Sequence, residues 1–134
     1  MDTIVFADVP IRLTDTLRQV FQLIKSGKES GAINEALLRN ALGERVNYFV
    51  SDPQQIRELA ERWRKDKSTS LRWEFGSWVD ALTSCALIFH SLRLTDEGSG
   101  ELQFERLAWP SGGLEATEEI IKIFDGKVLA NSAI

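Results

Sequence analysis

The strongest constraint in this sequence is a pair of apolar, alternating segments on either side of a short loop that contains two glycines. The first segment covers residues 85–95, the second covers 101–109, and the loop between them reads Asp96-Glu97-Gly98-Ser99-Gly100. Two such segments around a polar five-residue loop predict a β-hairpin. The pattern indicates an architecture and carries no catalytic signature.

The side-chain pattern also predicts how the two strands pair. The register that gives one apolar and one polar face pairs Thr95 with Glu101, Leu94 with Leu102, Arg93 with Gln103 and Leu92 with Phe104. Farther from the loop this register mixes the faces, because His90 and Arg106 fall on the apolar side. Either a β-bulge near 89–91 or 105–107, or helices that cover different ends of the two faces, would account for the reversal.

The remaining periodicities predict helices that pack on an antiparallel sheet. Strict alternation predicts a strand at about 71–75, and residues 3–7 are compatible with another short strand. Segments 44–50 and 77–83 leave helix and strand open, with a short helix or turn favoured for the latter. Amphipathic helices are predicted after Thr14, Ser30, Asp52 and Gly113. The predicted fold is a two-layer α+β domain over residues 1–134, with three to four helices.

The clearest helix start in the chain is Asp52-Pro53. Asp52 is a suitable cap, Pro53 fits the first helical position, and Gln55 has capping-box spacing. The apolar stripe that we expect this helix to bury consists of Ile56, Leu59, Ala60 and Trp63. The basic residues near its end, where cations suit the helix dipole, are Arg62, Arg64, Lys65 and Lys67. We expect this end to be solvated rather than to bind an anion or an acidic partner.

Length and charge limit the classes of function. A chain of 134 residues with 43% hydrophobic composition suffices for one core and is too short for two ordinary ones. The formal net charge is −4, and residues 71–134 carry five basic and ten acidic side chains. Such an acidic half repels phosphate backbones and attracts basic partners, so nucleic-acid binding is disfavoured.

The single cysteine and the N-terminal residues indicate a compartment. Cys85 cannot form an intrachain disulfide, and its apolar neighbours suggest a buried thiol in a reducing environment. The N-terminal residues lack the basic start and apolar run of a signal peptide, and no segment approaches 18 consecutive apolar residues. We therefore expect a cytoplasmic protein that does not bind membranes.

No catalytic set, metal site or cofactor motif is predicted. His90 is the only histidine, so sites that need several histidines are excluded, and Arg106 across the hairpin would favour the neutral imidazole. Cys85 and His90 are five residues apart, about 16 Å along a strand and on opposite faces, which excludes a Cys–His couple. The Pro110-Ser111-Gly112-Gly113 run suggests a helix cap more than an anion cradle.

The four tryptophans are the unusual feature of the composition, and core packing accounts for about two of them. Tryptophans that stay exposed are typical of protein-binding hot spots or of ligand clefts. The candidate partner-binding or ligand-binding residues are His90, Arg106, Trp109, Trp73 and Trp78.

These observations support hypotheses from two classes. The leading one is a non-enzymatic protein–protein interaction or regulatory module that forms a homodimer and presents an acidic sheet or hairpin surface. A narrower version is an inhibitor or immunity-type protein whose acidic half covers a basic enzyme. The alternative is a small-ligand-binding protein or minor enzyme with a cleft near His90, Arg106 and Trp109.

Overall fold

The computed structural model describes residues 1–50, 52–66, 73–108 and 113–134. These residues form one α+β domain, as predicted. It contains a four-stranded antiparallel sheet and five α-helices, more than the three to four helices that were predicted. The strands are β1 (Asp2–Ala7), β2 (Leu87–Leu94), β3 (Gly100–Arg106) and β4 (Lys127–Asn131). The helices are α1 (Thr14–Ser30), α2 (Glu35–Leu42), α3 (Pro53–Lys65), α4 (Phe75–Ser84) and α5 (Gly113–Lys122). The strand order across the sheet is β2-β3-β1-β4.

The core lies between one face of the sheet and the helices. Alternate residues of β1 and β3 are fully buried, namely Ile4, Phe6, Leu102 and Phe104. Helix α1 packs against β2, and α5 packs against β4. The residues between the buried ones, such as Thr3, Val5 and Gln103, remain partly exposed. One face of the sheet is therefore open, as is common for antiparallel sheets.

The predicted hairpin is confirmed as β2 and β3, but the predicted register is wrong by two residues. The observed pairs near the loop are Leu94 with Gly100, Arg93 with Glu101 and Leu92 with Leu102. The reason is that Thr95 belongs to the loop: its backbone N–H donates to the Ser99 carbonyl at 2.8 Å, and its hydroxyl accepts from the Glu97 and Ser99 amides. A shift of two keeps Leu92, Arg93 and Leu94 on their predicted faces.

Of the alternatives left open for the mixed faces, the structure has the bulge near 89–91, since the register of β2 and β3 shifts between Phe89 and Ser91. The strands are shorter than predicted. Helix α4 continues to Ser84 and is capped by Cys85, so β2 begins only at Leu87, while β3 ends at Arg106.

The predicted strand at 71–75 is wrong where the structure describes it; residues 71 and 72 lie outside the described residues. The Glu74 carboxylate accepts from the Gly76 amide at 3.0 Å and from the Ser77 hydroxyl at 2.9 Å. Glu74 thereby caps α4, which begins at Phe75 and includes the whole 77–83 segment, for which a short helix or turn was favoured. Phe75 and Trp78, three residues apart, share a buried helix face, so their spacing is helical rather than alternating.

The structure also gives the secondary structure of the other segments that the sequence left undecided. Residues 3–7 lie in β1, as predicted, and most of the ambiguous 44–50 segment forms a 3₁₀ helix, Gly43–Tyr48. No helix within the described residues is long and apolar enough to cross a membrane.

The tip of the hairpin is fixed to the connection between β1 and α1. The Val9 amide donates to the Gly98 carbonyl at 3.0 Å, and Gly98 has a φ of +83°. A Cβ at position 98 would lie 1.9 Å from the Val9 carbonyl oxygen, so only glycine fits there.

Candidate functional site

The structure does not bring His90 and Arg106 together. His90 lies at the bulge, with its Nε2 atom 3.3 Å from a carboxylate oxygen of Glu105. Arg106 pairs with Leu87 in the ladder and donates from Nε to the Asp2 carboxylate at 2.7 Å. Because Glu105 and Arg106 are consecutive on β3, they point to opposite faces of the sheet. The expected placement of Arg106 across from His90 is therefore wrong, and Trp109 lies outside the described residues.

The two other candidate tryptophans lie in the helical layer. Trp78 is fully buried and donates from its indole nitrogen to the Ala116 carbonyl at 2.9 Å. Its ring also packs against that of Phe49, with 5.1 Å between the ring centres. In this fold Trp78 is a core residue that a partner cannot reach. Trp73 is half-buried, and its carbonyl accepts from the Val50 amide at 3.0 Å.

Helix α3 begins as predicted but does not bury its apolar stripe. The Asp52 carboxylate accepts from the Gln54 amide at 3.0 Å, and Pro53 occupies the first turn. None of the thirteen residues of α3, all of which the structure describes, is buried. Ile56 and Trp63 are 40% and 39% exposed, and the Leu59 and Ala60 side chains between them are half-buried. We call these four residues the α3 stripe.

The α3 stripe is flanked on both edges by arginine. At 100° per residue, Arg57 and Arg64 lie on one edge of the stripe and Arg62 lies on the other. The same geometry places Glu61 on the side of the helix away from the stripe, whereas Glu58 is next to Arg62 and lines the same cavity as Leu59. Helix α3 carries four basic and two acidic side chains, a net charge of +2, whereas the whole chain carries −4. The rest of the chain therefore carries −6, and α3 is a basic element on an acidic protein.

A groove runs beside α3. It consists of two adjoining cavities of about 400 and 260 Å³ that share Val50 and Gln55. We call it the α3 groove, and its other lining residues are Arg39, Val46, Asn47, Phe49, Glu58, Leu59, Arg62, Glu74 and Phe75. Phe49, Val50 and Phe75 are buried and form an apolar floor. Polar side chains from four different elements surround this floor.

Two charges on the wall of the groove are held in place. The Arg39 guanidinium lies 4.3 Å from the centre of the Phe75 ring, a cation–π contact. The hydrogen bond from the Ser77 hydroxyl, together with that from the Gly76 amide, lowers the pKa of Glu74 below its ordinary value, and the charge of Arg39 adds to this effect. Glu74 is therefore ionised at neutral pH, and its carboxylate is engaged in capping α4.

The described lining of the groove suits binding better than bond making. Among these residues there is no serine, cysteine or histidine that could act as a nucleophile or as a base near neutral pH. Across the described parts of the chain, no three His, Cys, Asp or Glu side chains gather closely enough to hold a metal ion.

A scan against protein-family models and searches of curated proteins and of solved structures found no match to this chain.

Of the residues in this region, the α3 stripe, Trp73, Gln55 and Arg62 could be singled out from the sequence. Arg39 and Glu74 were missed because they meet only after α2 and α4 fold together. The Glu74 cap did have a sequence signal, a carboxylate shortly before Gly76-Ser77, but the alternation at 71–75 competed with it.

Proposed function

We propose that this chain is a non-enzymatic protein-binding module that contacts its partner through α3. The observation that carries the proposal is that the most strongly amphipathic of the described helices buries none of its residues. A helix that serves only the fold normally turns its apolar stripe to the core. An exposed apolar stripe with a polar rim is typical of an interaction site.

The residue types of the α3 stripe and its edges support this proposal. Tryptophan and arginine are enriched among the residues that contribute most to protein–protein affinity, and Trp63 lies here with Arg57, Arg62 and Arg64 nearby. Removal of an exposed Ile or Leu side chain from water contributes up to about 1.5–3 kcal/mol. The exposed parts of Ile56 and Trp63 supply such surface without disturbing the core.

The size of a stable interface indicates that the groove takes part. A standard interface involves about 20–30 residues on each side, and α3 has thirteen. The α3 groove is next to the helix and adds Arg39, Asn47 and Glu74 to the available surface. The proposed contact surface is therefore α3 together with this groove, not the sheet surface expected from the charge split.

The proposal is tested by photo-crosslinking in the cells that make the protein. A photoreactive phenylalanine analogue is placed at position 56 on the stripe or, as a matched control, at position 61 on the far side of α3. We expect a discrete crosslinked product from position 56 that is absent from position 61 and is lost on Leu59→Glu. Equal crosslinking at the two positions, or none at position 56 of a folded protein, would contradict the proposal.

A second candidate function is small-ligand binding in the larger cavity of the α3 groove. Its volume of about 400 Å³ falls in the range of ligand sites, and Arg39, Asn47, Gln55 and Glu74 converge above an apolar floor. A thermal-shift screen with metabolites tests it, because a specific ligand raises the melting temperature by mass action. The expected shift disappears in Arg39→Ala and persists in Arg12→Ala. A screen without any such ligand leaves protein binding as the function of the groove.

The hypothesis of an acidic inhibitor that covers a basic enzyme stays a prediction from charge. The surface proposed above has the opposite local charge, so the two hypotheses expect partners of opposite charge.

A further inference from the structure

We infer that the partner segment received by α3 is an acidic amphipathic helix, with an apolar stripe bordered by carboxylates. This inference rests on the proposed function and adds the chemistry and shape of the partner. It goes beyond the exposure of the α3 stripe, because it depends on where the charges of α3 lie.

The arrangement of charge on α3 resembles the edges of a paired helix. Arg57, Arg62 and Arg64 lie about 90–110° from the centre of the stripe, which is where charged residues of two packed helices meet. Ala60 is the small residue in the stripe, and it allows a second helix axis to approach to about 8–10 Å. A helix laid on the stripe would thus face arginine along both of its edges.

A second copy of this chain does not fit this surface. If two α3 helices pair antiparallel about a two-fold axis, the edge with Arg57 and Arg64 meets the same edge of the second copy. If they pair parallel, that edge meets the edge with Arg62. Both arrangements oppose arginine to arginine, and like charges across a helix pair are destabilising. The homodimer expected from the sequence is therefore not proposed at α3.

An anionic membrane is also a poorer fit than an acidic helix. Basic amphipathic helices do bind anionic lipid surfaces. However, the rest of this chain carries a net charge of −6, and an extended anionic surface would repel it. The stripe offers only Ile56, Leu59, Ala60 and Trp63 for insertion. A partner helix, unlike a membrane, can place its carboxylates next to the three arginines and away from the acidic rest of the chain.

The experiment uses the full chain and two labelled synthetic peptides of about 18 residues, long enough for five turns. Both peptides carry the same leucine stripe; one has glutamate and the other has lysine along both edges of the stripe. We expect the glutamate peptide to bind more tightly than the lysine peptide. The difference should be only about tenfold, because each exposed ion pair contributes little. Fluorescence anisotropy measures binding, and added salt should reduce the preference.

Charge reversal supplies the decisive control. The triple variant Arg57→Glu, Arg62→Glu and Arg64→Glu should prefer the lysine peptide, while Lys65→Glu, on the far side of α3, should keep the preference for glutamate. Circular dichroism and the unfolding midpoint confirm that both variants are folded. Equal binding of the two peptides, or no binding of either, overturns the inference.

Other occupants of the surface give distinct results. Binding to vesicles of phosphatidylcholine and phosphatidylserine without a peptide preference indicates a membrane and overturns the inference. Dimerisation that is abolished by Leu59→Glu indicates a second copy of the chain and also overturns the inference. If the crosslink at position 56 persists without a preference for the glutamate peptide, only the inferred chemistry fails. If the crosslink is also absent, the proposed function fails with it.

Discussion

Helices α1 and α3 have the same spacing of apolar residues, but only α1 buries them. In α1 the stripe of Leu17, Val20, Phe21 and Ile24 is buried against the sheet and the neighbouring helices. In α3 the corresponding stripe stays at the surface, and no residue of that fully described helix is buried. The difference shows that apolar periodicity predicts a helix and its apolar face, but does not predict what covers that face.

The largest expected effect comes from the same substitution made in each helix. Ile24 is fully buried in α1, and Ile56 is 40% exposed in α3. Ile24→Ala should lower the free energy of unfolding by about 2–5 kcal/mol, because it removes packed atoms and leaves a cavity. Ile56→Ala should change it by less than about 0.5 kcal/mol. Denaturant unfolding measures both changes, and similar losses would show that α3 is packed as tightly as α1.

A second prediction concerns Trp78, the core residue closest in kind to the exposed Trp63. Trp78→Phe keeps an aromatic ring but removes the donor to the buried Ala116 carbonyl. The lost hydrogen bond contributes about 0.5–1.5 kcal/mol, and the smaller ring adds a packing loss. We expect a lower unfolding midpoint with an unchanged denaturant slope. An unchanged midpoint would mean that this hydrogen bond does not contribute to stability.

The smallest expected change in stability comes from removing a helix cap, and it should differ between α4 and α3. At neutral pH, Glu74→Ala should lower the free energy of unfolding by about 0.5–2 kcal/mol, because α4 is part of the core. Asp52→Ala removes the cap of α3 and should instead speed hydrogen exchange in that helix, with little change in global stability. Equal global losses from the two variants would contradict the separation.

The contribution of Glu74 should also depend on pH. Its pKa is lowered in the folded protein by the Ser77 hydroxyl and the Gly76 amide, so the folded state binds the proton more weakly than the unfolded state. The stabilisation is therefore complete above the ordinary glutamate pKa and is lost as the pH falls through the lower folded value. The difference between wild type and Glu74→Ala should shrink in acid, whereas a constant difference would exclude an electrostatic cap.

Local signals made part of this fold predictable. The hairpin, the bulge at His90 and the start of α3 each depend on a few consecutive residues, and all three are present. The hairpin register was missed because the Thr95 side chain closes the loop with its own hydrogen bonds. The strand at 71–75 was missed because alternation over five residues also fits a cap followed by a helix.

The candidate site was less predictable for a different physical reason. The α3 stripe is visible in the sequence, but its exposure depends on how the other elements pack around the core. Arg39, Val50 and Glu74 come from separate parts of the chain and become neighbours only through tertiary structure. His90 and Arg106 illustrate the converse, because the bulge places their side chains on opposite faces of the sheet.

The contact between Gly98 and Val9 has a practical consequence for anyone who wishes to tag this protein. Hairpin tips are usually permissive places for inserted epitopes or fluorescent reporters. Here the tip is bonded to the Val9 backbone, and there is no space for a side chain at position 98. An insertion at this turn would break the hydrogen bond between the hairpin tip and the segment that leads into α1, and should reduce the yield of folded protein.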